Sequence, residues 1–261
     1  MEVGELPENN KYADFDKIEI ITELEGILKN DAPLHVGTAA ARAQMGMDKP
    51  IERGLLPHAK DMKEEPYIPG SSLKGVLRSL AERLVRSGFL GQDSWACDPF
   101  NAQDKEREDE EGPCTICGIF GGGGLKKNKV ASHVEISNAY PEDSASVSVR
   151  IRTRVAISRL KGGAAGGRLF NMEMVEPGVR WKFNMRIINI DLRDENEPRA
   201  KLLREVLRLL RDGKLSVGGG RSVGLGSIRL EEARLTFYTI KNGGLAKEGP
   251  IPIDDVLGGG E

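Results

Sequence analysis

Apolar residues recur along this chain with two different periods. At residues 18–28, Ile18, Ile20, Thr22, Leu24 and Gly26 fall on every second position, which predicts a strand with one buried face. From residue 29 to about 70 the pattern lapses into a loop rich in Gly, Ala and Pro. Leu73, Val76, Leu77, Leu80 and Leu84 then recur at three and four residues, an apolar helix face. Ser71 and Ser72 stand where an N-cap is expected, and Gly88 where the helix should stop. Residues 130–139 predict a second strand. In 146–158, Val147, Val149, Ile151, Thr153, Val155 and Ile157 alternate with Ser, Arg and Ala, which predicts one arm of a long hairpin. A strand follows at 179–190. Pro198 opens a second helix, since a first-turn proline loses no helical hydrogen bond. Its apolar face is Leu202, Leu203, Val206, Leu207 and Leu210, and its basic face Lys201, Arg204, Arg208 and Arg211. A last strand covers 227–238. Strand, helix, strand, taken twice, predicts an α+β fold of split βαβ, ferredoxin-like type. The whole chain, 1–261, reads as one domain, with an insertion at 95–129 whose acidic run 104–111 is expected to be a solvated, mobile loop.

Composition narrows the class. At 39% hydrophobic and 30% charged, 261 residues can bury a sizeable core without disulfides. No apolar run is long enough to span a membrane, and the acidic N-terminus lacks the apolar stretch of a secretory signal. Of three cysteines, two form Cys-x-x-Cys, which favours a reducing, cytoplasmic setting and a metal or redox role over a disulfide scaffold. The net charge of −2 conceals an asymmetry: residues 142–229 hold 18 Lys and Arg against 10 Asp and Glu. That stretch suits an anionic ligand such as nucleic acid, and also suits an ordinary charged surface.

Three groups of residues carry candidate chemistry. Residues 218–226 contain five glycines around Arg221, so backbone N–H groups near Gly219 and Gly220 can approach a phosphate that Arg221 would also bind. The loop ends in no Lys-Ser/Thr and follows a helix, so it is neither a Walker loop nor a dinucleotide fingerprint. Pro69-Gly-Ser-Ser-Leu-Lys-Gly75 sets Ser71, Ser72 and Lys74 at a helix start, with Arg78 one turn on, an anion-binding arrangement or a plain cap with exposed cations. Cys97, Cys114 and Cys117 are three of the four ligands of a structural zinc site. His133 would complete it as Cys₃His, with His58 and Asp98 as rivals. Gly112-Pro113 and Gly118 argue for a knuckle rather than a redox pair.

Four segments together resemble the RAMP superfamily of CRISPR effector subunits. They are Leu34-His-Val-Gly37, Tyr67-Ile-Pro-Gly-Ser-Ser-Leu-Lys-Gly75, Cys117-Gly-Ile-Phe-Gly121 and the glycine loop 218–226. The similarity is greatest to the repeating backbone subunit of type III complexes, the Csm-type and its relatives. It implies a modified RNA-recognition-motif domain with a protruding hairpin thumb, here 146–176, carrying Arg150, Arg152, Arg154, Arg159, Lys161 and Arg168. It also implies copies or paralogues stacked along a guide RNA with other effector subunits, each thumb interrupting the guide–target duplex. With only 5% aromatic residues, binding through phosphates fits better than base stacking. Relatives often carry zinc in the insertion. They also cut target RNA with an Asp in the context Asp-x-Pro-hydrophobic, which Asp48-Lys49-Pro50-Ile51 matches. Asp48 is thus the implied cleavage residue, dependent on Mg²⁺ or Mn²⁺. A catalytically silent scaffold and a stand-alone guide-processing ribonuclease are the alternatives, though the latter needs a histidine base and the three histidines are scattered.

Overall fold

The computed structural model describes residues 12–37, 51–55, 64–92, 94–241 and 243–258, side chains 54, 55, 165, 167 and 168 excepted. The strands are β1 (Ile20–Asn30), β2 (Arg53–Leu55), β3 (Glu64–Pro66), β4 (Val134–Ile136), β5 (Val149–Ile157), β6 (Ala164–Val175), β7 (Arg180–Ile188), β8 (Leu215–Ser216), β9 (Ser227–Lys241) and β10 (Gly244–Pro252). The helices are α1 (Gly70–Arg86), α2 (Ala102–Glu111), α3 (Cys117–Phe120), α4 (Pro198–Arg211) and α5 (Asp254–Leu257).

The protein is a mixed α+β chain built on an antiparallel sheet in the order β10-β9-β1-β7-β4, with β8 on β9. β1 lies at its centre, with Leu24 opposite Met185 on one side and Leu235 on the other. Alternation points Leu24, Leu28, Trp181, Phe183, Met185, Ile187, Leu235 and Phe237 into one core. Leu73, Leu77, Ala81 and Val85 of α1, and the predicted leucine face of α4, belong to that core. The Trp181 indole N–H donates to Asn30 Oδ1 at 3.1 Å, so its one polar atom is satisfied in the interior. Across the sheet's outer face, charges pair in rows: Arg186 lies between Glu23 and Glu135, and Arg180 between Glu142, Glu231 and Glu232.

Several expectations change. The predicted serine cap is displaced: Pro69 is the N-cap of α1, and the Gly70 N–H donates to Asn138 Oδ1 at 2.9 Å. A Cβ on Gly70 would sit 2.1 Å from the Ile136 carbonyl oxygen, so close approach of the edge strand, not capping, fixes this start. The second strand shrinks to the three residues of β4, because Val130 and Ala139 pair elsewhere, with Gly122 and Ile68. The acidic run is not a loop. It is α2, capped by Asn101 and burying Lys105, Glu108 and Asp109. The Asp109 carboxylate accepts the backbone N–H groups of Lys126 and Lys127 and so holds the following loop; those bonds, Lys127's foremost, keep it below the usual carboxylate range. A final hairpin strand, β10, lies beyond the last strand predicted.

Candidate nucleic-acid interface and cysteine cluster

Residues 30–37 leave β1 as a strap between two elements. On one side Leu34 exchanges both backbone hydrogen bonds with Val175 of β6, at 2.9 and 2.8 Å. On the other, Gly219 donates to the His35 carbonyl at 2.8 Å and Gly226 to that of Pro33 at 2.9 Å. Gly218, at φ +84°, could carry no side chain, since a Cβ would lie 2.2 Å from the His35 oxygen. The His35 ring is buried; its Nδ1–H donates to the Glu173 carbonyl at 2.8 Å, and its far edge lies against Gly219. His35 is therefore a structural wedge.

The hairpin β5–β6 has two unlike faces. Cross-strand partners share a face, and Arg150, Arg152 and Arg154 pair with Met174, Met172 and Phe170. Met172 and Met174 are buried with Leu225 of the glycine loop. The three arginines and the loop of Gly219, Gly220 and the exposed Arg221 thus lie toward the same side of the molecule. Arg150 is 73% exposed beside Glu176 at 3.2 Å. The opposite face bears Ile151, Thr153, Val155 and Leu169, and three of these are large exposed apolar groups. Leu160, in the turn, is fully exposed.

The start of α1 behaves differently from its sequence reading. Ser71 is exposed and Ser72 half-buried. Lys74 turns inward and donates to Ser132 Oγ at 2.6 Å; burial, then the neighbouring Arg78, pushes its pKa down. Arg78 donates to the Gly121 carbonyl at 2.9 Å and to Glu82 at 3.0 Å, with Cys117 Sγ 3.7 Å away. It braces the cysteine segment. Gly75 has open space where a side chain would be, on an exposed helix position. Glycine there costs about 1 kcal/mol relative to alanine, and no packing among the described residues requires it.

Cys97, Cys114 and Cys117 are all buried and meet as expected, but the fourth donor beside them is Glu108, not His133. All four ligand atoms lie within 4.8 Å of one another. His133 is committed elsewhere, its Nε2 2.7 Å from Asp14 Oδ1 and its ring against Phe15. Asp98 is exposed and accepts the Phe100 N–H, and His58 lies outside the described residues, as does Asp48. A tetrahedral site with Zn–S near 2.3 Å needs sulfurs about 3.8 Å apart, and Cys97 and Cys117 Sγ are 3.6 Å apart. Cys114 Sγ accepts the backbone N–H groups of Cys97 and Cys117, both at 3.4 Å. Three thiolates around a divalent ion leave negative charge, which Lys105, 3.4 Å from Cys97 Sγ, and Arg78 would balance. The cluster therefore fits a thiolate-bound metal. Without metal, hydrogen bonds from Cys114 and Cys117 draw the Cys97 pKa down to about 4, while hydrogen bonds with Cys117 and Cys97, and burial, push Cys114 up.

Sequence reading missed Glu108 and Lys105, although their three-residue spacing within a charged run behind an Asn was the available signal. It also missed Glu173 and Arg53, for which no local pattern exists.

A family model described as the RAMP superfamily matches residues 28–229. The chain belongs to the RAMP superfamily. It is also similar to the CRISPR system Cms endoribonuclease Csm3 of Methanocaldococcus jannaschii, at 32% identity over 217 residues, covering 81% of this chain and 79% of that one. In this RAMP protein the matched region begins near the end of β1 and stops near the start of β9, so it takes in β7, α1, α4, the cysteine cluster, the hairpin and the glycine loop. Among the described residues, no helix is long and apolar enough to cross a membrane.

Proposed function

We propose that this RAMP protein is a guide-RNA-binding backbone subunit of a type III CRISPR effector complex, cutting complementary target RNA in the cytoplasm. The observation that carries the reading is the shared side on which the arginine face of β5 and the Arg221 loop lie. A guide strand there would meet Arg150, Arg152, Arg154 and Arg221, together with backbone N–H groups of the glycine loop. The exposed turn of α1, with Ser71 and the bare backbone at Gly75, offers a second approach for phosphate. Similarity to a CRISPR-system endoribonuclease supports RNA cutting, which we assign to the target strand.

In this reading β5–β6 is the thumb. Its apolar face, Ile151, Val155 and Leu169, is suited to part stacked bases, as apolar wedges do in other nucleic-acid complexes. The order β9-β1-β7-β4, with α1 and α4 as crossovers, supports a modified RNA-recognition-motif fold. The sheet's outer face, occupied by paired charges, is not the RNA platform. The cysteine cluster holds zinc structurally, through Cys97, Cys114, Cys117 and Glu108, and stiffens the segment that Arg78 ties to α1.

Asp48 is the catalytic carboxylate. The target 2′-OH attacks the adjacent phosphorus, its proton passing to a base, and the bond to the 5′-oxygen breaks as that oxygen takes a proton from water. The products are a 2′,3′-cyclic phosphate and a 5′-hydroxyl end. A Mg²⁺ or Mn²⁺ ion at Asp48 would neutralise the developing charge. Asp48→Ala should abolish cutting of labelled complementary RNA in Mg²⁺ and leave gel-shift binding of guide and target intact, because binding is spread over many phosphate contacts. Undiminished cutting would remove Asp48 from the mechanism. A wild-type complex that binds target and never cuts it would make the protein a scaffold.

A further inference from the structure

Glu173 is a buried carboxylate on β6, between the buried Met172 and Met174. Its two oxygens face the Arg53 guanidinium as a fork, Nη1 to Oε2 at 2.8 Å and Nη2 to Oε1 at 2.9 Å. Oε2 also accepts the Ile51 backbone N–H at 3.1 Å. Burial pushes this carboxyl up, but the Arg53 fork and the Ile51 N–H outweigh it and hold the pKa below 4.5. An apolar residue at this place would avoid the desolvation that an ion pair incurs, so the pair is better understood as fixing geometry than as adding stability.

The geometry it fixes is a junction. Gly37 and Ile51 pair as an antiparallel bridge, and Glu52 donates to the Val36 carbonyl at 2.8 Å. Residues 37 and 51, which flank the stretch containing Asp48, are therefore side by side. Glu173 grips the second of them through its side chain. Its own backbone carbonyl accepts from His35, two residues before the first. Two residues further along β6, Val175 is paired with Leu34. One residue of the thumb strand thus contacts both sides of the junction, and His35 passes the contact on to Gly219 of the glycine loop.

We propose that Glu173 is a positioning residue for target cleavage, with Arg53 as its partner, setting residues 51–53 against the thumb so that cutting stays in register with the place where the thumb meets RNA. The proposal rests on the cleavage reading given above. Glu173 does not touch the reacting atoms; it acts through the backbone at Ile51, which follows Asp48 by three residues.

The test uses the complex assembled on guide RNA with Glu173→Gln, Arg53→Gln and both together. Glu173→Gln keeps the shape and an acceptor for Ile51 but loses the charge that makes these bonds strong. Single-turnover cutting at saturating target should slow about 10–100-fold, the order expected for a misplacement of roughly 1 Å. Target affinity should stay near wild type, the melting temperature should fall by only a few degrees because Arg53, 23% exposed, can turn to solvent, and the double variant should be no slower than the slower single. Hydrogen exchange at the Ile51 and Val175 amides should quicken about tenfold while Leu24 in the core is unchanged. Cutting at the wild-type rate overturns the proposal whatever exchange does. A parallel fall in rate, affinity and melting temperature also overturns it, since Glu173 would then only hold the fold. If the wild-type complex never cuts in Mg²⁺, the cleavage reading fails by itself and exchange decides: quickening at Ile51 and Val175 upholds the coupling, and its absence ends it.

Discussion

Replacing Glu108 with alanine tests whether the acidic run is a brace or a solvated surface. The Glu108 side chain is 0% exposed and its partner Lys105 10% exposed, with Nζ to Oε2 at 2.6 Å. Oε1 accepts the Cys114 N–H at 3.0 Å. The change strips a buried ammonium of its carboxylate, which typically costs about 3–5 kcal/mol. It also leaves a buried N–H without its acceptor, about 1 kcal/mol more. Lys105 keeps the Gly123 carbonyl at 3.1 Å and Cys97 Sγ, which offsets part of the loss. The expected net is about 3–4 kcal/mol, or a fall in melting temperature of roughly 6–16 °C at about 2–4 °C per kcal/mol for a chain of this size. Glu106, exposed on the same helix, supplies the control, and Glu106→Gln should stay within about 0.5 kcal/mol. The assay is urea and thermal unfolding of the reduced chain followed by circular dichroism, with chelator and again with one equivalent of zinc. If Glu108 is a metal ligand as well as a brace, zinc will stabilise the wild type more than the variant. Equal stabilisation of both by zinc assigns Glu108 to Lys105 and Cys114 alone. An E108A protein as stable as E106Q in chelator refutes the reasoning, because it would mean the charge pair is not buried in solution.

Two further outcomes follow from other sites. Burial holds the His133 pKa below 6.5, so the unfolded chain takes up a proton there before the folded one does; its share of stability is complete above pH 6.5 and drains as pH falls toward the lower folded value, by at most about 1.4 kcal/mol per pH unit. His133→Phe should flatten the dependence of unfolding free energy on pH just below 6.5, and an unchanged slope would locate the proton uptake elsewhere. For RNA, Arg152→Ala, Arg154→Ala and Arg221→Ala combined should reduce the slope of log affinity against log salt for a single strand by about 2, at roughly 0.7 per phosphate contact, whereas Arg78→Ala should lower stability and leave the slope alone; an Arg78 effect on the slope would contradict its placement against Gly121 and Glu82.

What was legible in the sequence was whatever a local period encodes. The even-numbered residues of β1, the leucine faces of α1 and α4 and the alternation of β5 are set by burial on one side, and burial is written every two or every three to four residues. The three cysteines meet because Cys-x-x-Cys is itself a local geometry and Cys97 needs only one return of the chain. The failures were tertiary. Nothing near Lys74 or Arg78 announces that Ser132 and Gly121 will come to take their donors. The run 104–111 has the composition of a solvated loop, and its conversion to a helix depends on Lys105 and Glu108 turning to the thiols and on Asp109 gathering the N–H groups of a later loop. β10 was missed although Asn242-Gly243 is a hairpin signal, because the apolar alternation beyond it is interrupted by Gly249-Pro250.

The placement of the cations divides labour in a way their number alone does not suggest. Lys74, Arg78 and Lys105 were all eligible for RNA by charge, yet Lys74 donates to the Ser132 hydroxyl, and Arg78 and Lys105 turn to the cysteine segment, where they meet carboxylate, carbonyl and thiol. A cation so engaged gives an approaching phosphate little, since binding would first break contacts of comparable strength. Arg152, Arg154 and Arg221 sit instead on elements held by methionine–leucine packing and by glycine turns, contacts that ask nothing of the guanidinium. Their charge is left to the solvent side, where counterion release on binding a polyanion is available to them. In the proposed function, the segment around the cysteines is then a rigid support, and RNA would meet the surface whose positive charge the fold itself does not consume.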